Sequence, residues 1–385
     1  MNIATAPYRS DCVVVGSPGD ERIDRFQSAV ARRGWPPATV VSYRALSERG
    51  PSALEAYVRE GTLVRIDSPG SSFESFTALV AAGSHALDPG GAPRIGVEAA
   101  RNLTYERGRL RYVRQWYLGL CRVLGEIAPR LVGARRMGDP AEIRCMFDKR
   151  ECHQRLASHG VSVPPSIDAP SSFDELLEAM RHRGVRRVFV KLAHGSSASG
   201  VVALHADAGG VHALTTVELV ECASVRKLYN SKRLRLYRDA RSLAAIYEEL
   251  AREQVHIEEW LPKIGLDNRP VDLRILVIAG RARHIVARAG HGPITNLHIG
   301  ARRADVRRLR AKMGDAAWAR MLSLAERAGG AFPSSLAVGV DLAVEPDPRR
   351  MAVLEVNAFG DLLRGVTDGG EDPYDAQLTE IAARC

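Results

Sequence analysis

The 385-residue chain is longer than one hydrophobic core usually serves, which excludes a single small module. A hydrophobic fraction of 45% with 26% charged residues excludes a disordered chain, and no continuous apolar run is long enough to cross a bilayer. The net charge of +9 would suit nucleic acid, but the basic residues are interleaved with Asp and Glu, so anionic small substrates account for it equally well.

The first residues lack the basic flank and apolar core of a secretory leader, so a cytoplasmic location is expected. Six cysteines (Cys12, Cys121, Cys145, Cys152, Cys222 and Cys385) are scattered without metal-site or disulfide spacing, and Cys145 and Cys152 read as core thiols on one helix face. The 54 basic residues divide into 48 Arg and 6 Lys. A lysine beside a glycine-rich loop therefore suggests a need for a compact ammonium where a guanidinium fork would not fit.

In chain order, Cys12 to Val15 reads as a buried strand, Gly16 to Gly19 as a turn, Arg22 to Arg33 as a helix and Thr39 to Tyr43 as a second strand. This is a βαβ opening without the spacing of a dinucleotide fingerprint. A strand over Thr62 to Ile66 runs into Asp67-Ser68-Pro69-Gly70, and Arg101 to Ala128 reads as mostly helical. Arg65, at that strand's carboxyl end, is a candidate clamp for a substrate carboxylate, with an ion pair to Asp67 as the plainer alternative.

Asp139 to His159 has a helical pattern that stops at Gly160. Strands over Val185 to Leu192 and Val201 to His205 flank the small polar loop His194 to Gly200. Thr215 to Arg238 alternates as a basic hairpin with Tyr229-Asn230-Ser231 as its expected turn. A helix over Ala240 to Glu253 follows, then strands at Val255 to Ile257, Leu273 to Ile278 and His284 to Ala287. One long helix is expected over Asp305 to Ala328, before strands Val338 to Val344 and Met351 to Val356.

Four sites along this path suit a nucleotide polyphosphate. Asp148-Lys149 opens a helix, and Lys191 ends a strand just before the Gly195 to Gly200 loop, whose small residues let main-chain N–H groups approach phosphate. Read alone, Lys149 is a solvated helix lysine and the loop an ordinary hairpin connection. Glu258-Glu259-Trp260-Leu261 leaves a strand, followed by Asp272-Leu273-Arg274. Finally, Asp341 precedes Glu355-Val356-Asn357, where a spacing of two puts Glu355 and Asn357 on one strand face. Two carboxylates and an amide oxygen suit Mg²⁺, and leaving carboxylates unpaired in so apolar a strand would be costly. His284, His291 and His298 recur every seven residues, but no evident turn brings them together as a zinc site.

Taken in order, Asp148-Lys149, Lys191-Leu192 with Gly195 and Gly200, Glu258-Glu259-Trp260, Asp272-Leu273-Arg274, Arg288, Asn296-Leu297-His298, Asp341 and Glu355-Val356-Asn357 resemble the ATP-grasp superfamily. Within it the chain is most similar to RimK-type ligases, with glutathione synthetases as cousins, over about residues 137 to 365. The resemblance implies an α/β fold with an α+β lid: an N-terminal open α/β domain over 1–137, a central lid domain over 138–257 carrying the basic hairpin 215–238, and a C-terminal metal-binding domain over 258–385. It further implies that Lys149 and Lys191 contact ATP phosphates while Gly195, Ser196, Ser197 and Gly200 close over them. Glu258, Glu259, Trp260 and Leu261 would form the adenine hinge and Asp272 would take the ribose hydroxyls. Asp341, Glu355 and Asn357 would hold two Mg²⁺, with Mn²⁺ as a substitute. Arg274, Arg288 and Asn296 would face the transferred phosphoryl group, and Arg65, Arg288 and His298 are the substrate candidates.

The implied activity is an ATP-dependent carboxylate–amine or carboxylate–thiol ligase working through an acyl phosphate. A kinase acting on another acceptor and a nucleotide-sensing binding protein are the alternatives. Expected partners are a carboxylate and an amine-bearing acceptor such as an amino acid or peptide. No membrane partner is expected, and a homo-oligomer is left open. Nucleic acid is disfavoured, since Arg302-Arg303 and Arg307 to Arg310 read as solvated faces. The sequence departs from RimK-like chains at Ala198, where a glycine is common, at Ile294, where an arginine is expected, and at Ile299-Gly300-Ala301, which interrupts a glycine pair. These changes fall where substrates would sit.

Overall fold

A computed structural model describes residues 11–70, 72–222, 225–360 and 363–384. The valine run of β1 (Cys12–Val15) is buried along its whole length, as a strand covered on both faces requires. It pairs in parallel with β2 (Thr39–Val41) and β3 (Leu63–Ile66). Asp20 caps the intervening helix Glu21–Arg32 by accepting from the Arg22 amide. Of the helix expected over 101–128, only Val113–Ile127 forms. The polar stretch before it holds a two-residue strand, β4 (Arg109–Leu110), that joins another sheet, and β5 (Arg135–Arg136) completes the order β2-β1-β3-β5.

The helical pattern from Asp139 breaks at Asp148, whose backbone is extended. It separates the helix Pro140–Phe147 from Lys149–Ser158 and caps the second through the Arg150 amide. Cys145 and Cys152 therefore lie on different helices.

The central sheet is antiparallel, in the order β4-β10-β9-β8-β7-β11-β6. Its strands are β6 (Ser166–Ile167), β7 (Arg187–Leu192), β8 (Val202–Asp207), β9 (Gly210–Cys222), β10 (Val225–Tyr237) and β11 (Val255–Glu259). The basic hairpin reverses between Cys222 and Val225, not at Tyr229-Asn230-Ser231. Tyr229 and Asn230 pair within β10, and the polar residues after them form an irregularity in register before Arg235. Because β11 runs through Glu259, Glu258 and Glu259 close this sheet instead of opening the next one.

The third sheet, also antiparallel, contains β12 (Gly265–Leu266), β13 (Arg269–Ile278), β14 (Arg281–Ala289), β15 (Arg302–Ala304), β16 (Ala337–Val344) and β17 (Met351–Asn357). Its order is β15-β14-β13-β16-β17, with β12 beside β13. The expected long helix is two, Val306–Met313 and Asp315–Gly330, because Gly314 takes a left-handed φ of 78° between them. A final helix, Pro373–Ala383, was not anticipated. It packs Tyr374, Leu378 and Ile381 into a core shared with Phe26 and Val30 of the first helix, and so ties the chain's end to its beginning.

Candidate active site

The carboxyl end of β7, the loop after it, the exit of β11 and the facing strands β13, β14, β16 and β17 surround a cavity of about 100 Å³. Of the expected site residues, Lys149, Lys191, Gly195, Ser196, Ser197, Glu258, Glu259, Leu261, Asp272, Arg288, Asn296, Asp341 and Glu355 border it. Three of the six lysines, Lys149, Lys191 and Lys263, meet here. Phe189, Val201 and Ile294 pack together into one apolar wall.

The loop is held at its base and open at its tip. Lys149 donates from its main chain to Ala193 O (3.0 Å) and from Nζ to Gly195 O (2.5 Å), so the helix Lys149–Ser158 braces the loop. Ser199 N bonds Ser196 O, and Thr216 Oγ1 donates to Ala198 O. Among the described residues, the amides of Ser196, Ser197 and Ala198 have no acceptor. Ser197 and Ala198 lie at φ of 53° and 57°, the left-handed region where only glycine is free of strain. A glycine at position 198 would relax this turn, whereas Ala198 fixes it.

Lys191 points along β7 to Glu258 on the paired strand β11, and the two form an ion pair. The other Glu258 oxygen meets His256 Nε2 at 3.1 Å and His153 Nε2 at 3.8 Å, and His153 also bonds Leu354 O at 2.9 Å. Glu258 is buried, which works against ionisation, but Lys191 and the His256 hydrogen bond hold its carboxyl far below the usual range. Burial pushes His153 down to about 4, so it is neutral at pH 7. Sequence reasoning missed both histidines, which are 103 residues apart in sequence and meet through tertiary folding alone.

On the opposite wall, Asp272 accepts from Arg288 Nε at 2.8 Å, from Lys263 Nζ at 2.9 Å and from Thr295. With three donors on one buried carboxylate, Asp272 holds Arg288 and Lys263 in place. Lys263 also reaches Thr295 Oγ1 at 2.7 Å, and neither residue carried a sequence signal. Asp341 is gripped by Arg274, with Nη2 to Oδ2 at 2.7 Å, and by Arg288 at 3.2 Å. Glu355 lies opposite Asp341 in the β16–β17 register and 3.6 Å from Lys149 Nζ. Burial works against its ionisation, yet Lys149 and then Lys191 keep it ionised. Asn357 spends its amide N–H on Gly339 O, which leaves the amide oxygen as a ligand atom. Two carboxylates and one amide oxygen are the hard donors that Mg²⁺ takes.

The other expected residues do not line this cavity. Arg65 is buried away from the cavity, pairs with Asp67 at 2.9 Å, bonds Gln377 at 2.9 Å, and lies between the Phe26 and Tyr374 rings. It braces the terminal helix through Gln377. His298 is exposed on the short turn Leu297–Ile299, whose start Asn296 caps by accepting from its amide. Trp260, Gly200, Arg274 and Asn357 stand behind the cavity's lining. Trp260 packs on Phe189 and donates from its main chain to Arg187 O, while Glu259 N bonds Pro165 O. Of these three hinge amides, only that of Leu261 has no acceptor among the described residues. His153, His256 and Glu258 are the one group of three or more His, Cys, Asp or Glu side chains whose ligand atoms come close together among the described residues, and His284, His291 and His298 form no such group. No helix is long and apolar enough to cross a membrane among the described residues.

The model of the YheC/D-like ATP-grasp family matches residues 141–359. No curated protein matches the sequence. Among solved structures, the ATP-grasp ligase PsnB, complexed with a phosphomimetic variant of its minimal precursor, Mg and ADP, is 16% identical with a TM-score of 0.54, over 97% of this chain and 98% of that one. The D-cycloserine synthetase DcsG is 16% identical with a TM-score of 0.53, over 97% and 99%. The D-alanine–D-alanine ligase of Bacillus anthracis is 13% identical with a TM-score of 0.52, over 98% of each chain. At such identities the likeness is one of fold. The family match spans more than half of the 385 residues and coincides with the sheets that build the cavity, so the chain belongs to the YheC/D-like ATP-grasp family and has the ATP-grasp fold.

Proposed function

We propose that the protein is an ATP-dependent ligase that joins a carboxylate to an amine through an acyl phosphate. The observation that carries this reading is the meeting, around one cavity, of Lys149, Lys191 and loop amides without an acceptor among the described residues on one side with Asp341, Glu355 and Arg288 on the other, Arg274 gripping Asp341 from behind. Lys149, Lys191 and the amides of Ser196 to Ala198 bind the phosphates. Adenine lies against Phe189, Val201 and Ile294, with its edge read by the Leu261 amide. Asp341, Glu355 and Asn357 would hold Mg²⁺, which when bound neutralises charge on the transferring phosphoryl group.

In the first step, a carboxylate oxygen of the substrate attacks the γ-phosphorus and the bond to ADP breaks. In the second, the amine nitrogen attacks the acyl carbon, the C–O bond breaks, phosphate leaves and the amine proton passes to solvent. Arg274 and Arg288, fixed by Asp341 and Asp272, stabilise negative charge as it develops, and their arrangement needs no reorganisation at the moment of reaction. Asn296 orients the phosphoryl group from the cavity rim. Screening ADP release with carboxylates and amines in Mg-ATP, with hydroxylamine present as a trap, tests the proposal. Hydroxamate formed together with ADP is the expected result. ADP formed with a phosphorylated hydroxyl and no hydroxamate would favour a kinase instead.

A further inference from the structure

The glycine loop has a second face. Gly195, Ser196 and Ser199, which border the nucleotide cavity, also border a larger one of about 270 Å³ on the side of the N-terminal unit. Its opposite wall is aromatic: Phe73, Phe76, Tyr105 and Trp116. Phe73 is set by the cap of its helix, where Ser72 accepts from the Ser75 amide, and it meets Tyr105 edge-on at 5.2 Å and Phe76 at 6.0 Å. Tyr105 is nonetheless 62% exposed. A large aromatic side chain left so open on a cavity rim is one that a bound apolar group would cover.

Size and charge narrow the ligand. The cavity has small-molecule dimensions, which suit an amino acid or dipeptide and admit no folded partner. Glu106 is matched by Arg111 at 3.1 Å, whereas Arg109, stacked on Tyr229, has no carboxylate partner among the described residues. The wall thus offers one uncompensated positive charge beside an aromatic surface. We propose that this cavity is a substrate site of the ligase and takes an amino acid or dipeptide with an aromatic side chain, its ring on the Phe73–Tyr105 wall and its carboxylate near Arg109. The inference rests on the ligase reading for the word substrate. The binding preference stands apart from it.

Calorimetry on the nucleotide-free protein with L-phenylalanine, L-tryptophan, L-alanyl-L-phenylalanine, glycine and L-glutamate tests the preference directly. The aromatic probes should bind about tenfold more tightly than glycine or glutamate, and Tyr105→Ala and Phe76→Ala should each weaken them about five- to tenfold. Tyr105→Ala removes a mostly exposed side chain and so keeps the fold, and ATP affinity should stay unchanged in it. Equal or tighter binding of glutamate or glycine, no binding of any aromatic probe, or aromatic affinities unaltered in both variants would overturn the assignment. Aromatic binding as expected, but with no ADP released from Mg-ATP, would remove the ligase reading and leave the aromatic site. ADP release with a non-aromatic substrate whose KM ignores Tyr105→Ala would do the reverse.

Discussion

Lys191 carries the argument at the scale of single residues. It is one of six lysines in a chain that otherwise uses arginine, and its ammonium meets a carboxylate fixed by two buried histidines. Lys191→Ala should weaken ATP binding about tenfold or more, and Lys191→Arg should weaken it as well, since a guanidinium does not replace a point charge in a closed corner. Calorimetric ATP affinity checks both, and two unchanged values would refute the role. Glu355→Ala and Asn357→Ala should each lower Mg-ATP turnover to below about a tenth of wild type without altering the melting temperature, because each removes an oxygen ligand from the cation site and neither fills a core. These residues were legible in sequence because polar groups interrupt an apolar strand at a spacing of two. Lys263 and Thr295 were not, since they reach Asp272 from 9 and 23 residues away, Lys263 through the turn of β12 into β13 and Thr295 through β14 and the loop after it. Arg65 forms the ion pair with Asp67 that was its plainer reading, while its second partner, Gln377, comes from the terminal helix, which no motif announced.

Elements formed where periodicity was unbroken and failed where a single polar or glycine residue changed direction. Asp148 and Gly314 each split an expected helix, and Asn230 looked like a turn because β10 carries its irregularity there. The two long-range consequences lie in the loop and in one helix pair. Ala198 sits in the left-handed region, so Ala198→Gly should relieve strain and loosen the loop tip, which faster hydrogen exchange at residues 196–199 would report. The helices Phe73–Ala82 and Val113–Ile127 approach so closely that a Cβ on Gly119 would lie 1.8 Å from Leu79 O. Gly119→Ala should therefore destabilise the protein by about 2 kcal/mol or more, read as a lower urea midpoint, and move the aromatic wall that these two helices carry.

For the whole molecule, acid should act before the carboxylates titrate. His194 is buried against the Tyr117 ring, with Asp148, Arg114 and Arg150 around it, and burial pushes its pKa down to about 4 against the opposing pull of Asp148. His153 is likewise near 4. The unfolded chain protonates both near 6.5, so between that pH and 4 it binds more protons than the folded one, and stability falls as pH falls. At about pH 5 each should cost on the order of 2 kcal/mol. Melting temperatures recorded from pH 7 to 5 should drop, and the slope should lessen in His194→Gln; a flat profile would contradict the environment described for these rings. The central claim, that the cavity activates a carboxylate by phosphorylating it, is tested most directly with a substrate whose carboxylate oxygens are ¹⁸O-labelled. Mass analysis of the phosphate released during product formation should find one label transferred per turnover, and none released by Glu355→Ala. Unlabelled phosphate accompanying normal product formation would contradict the account.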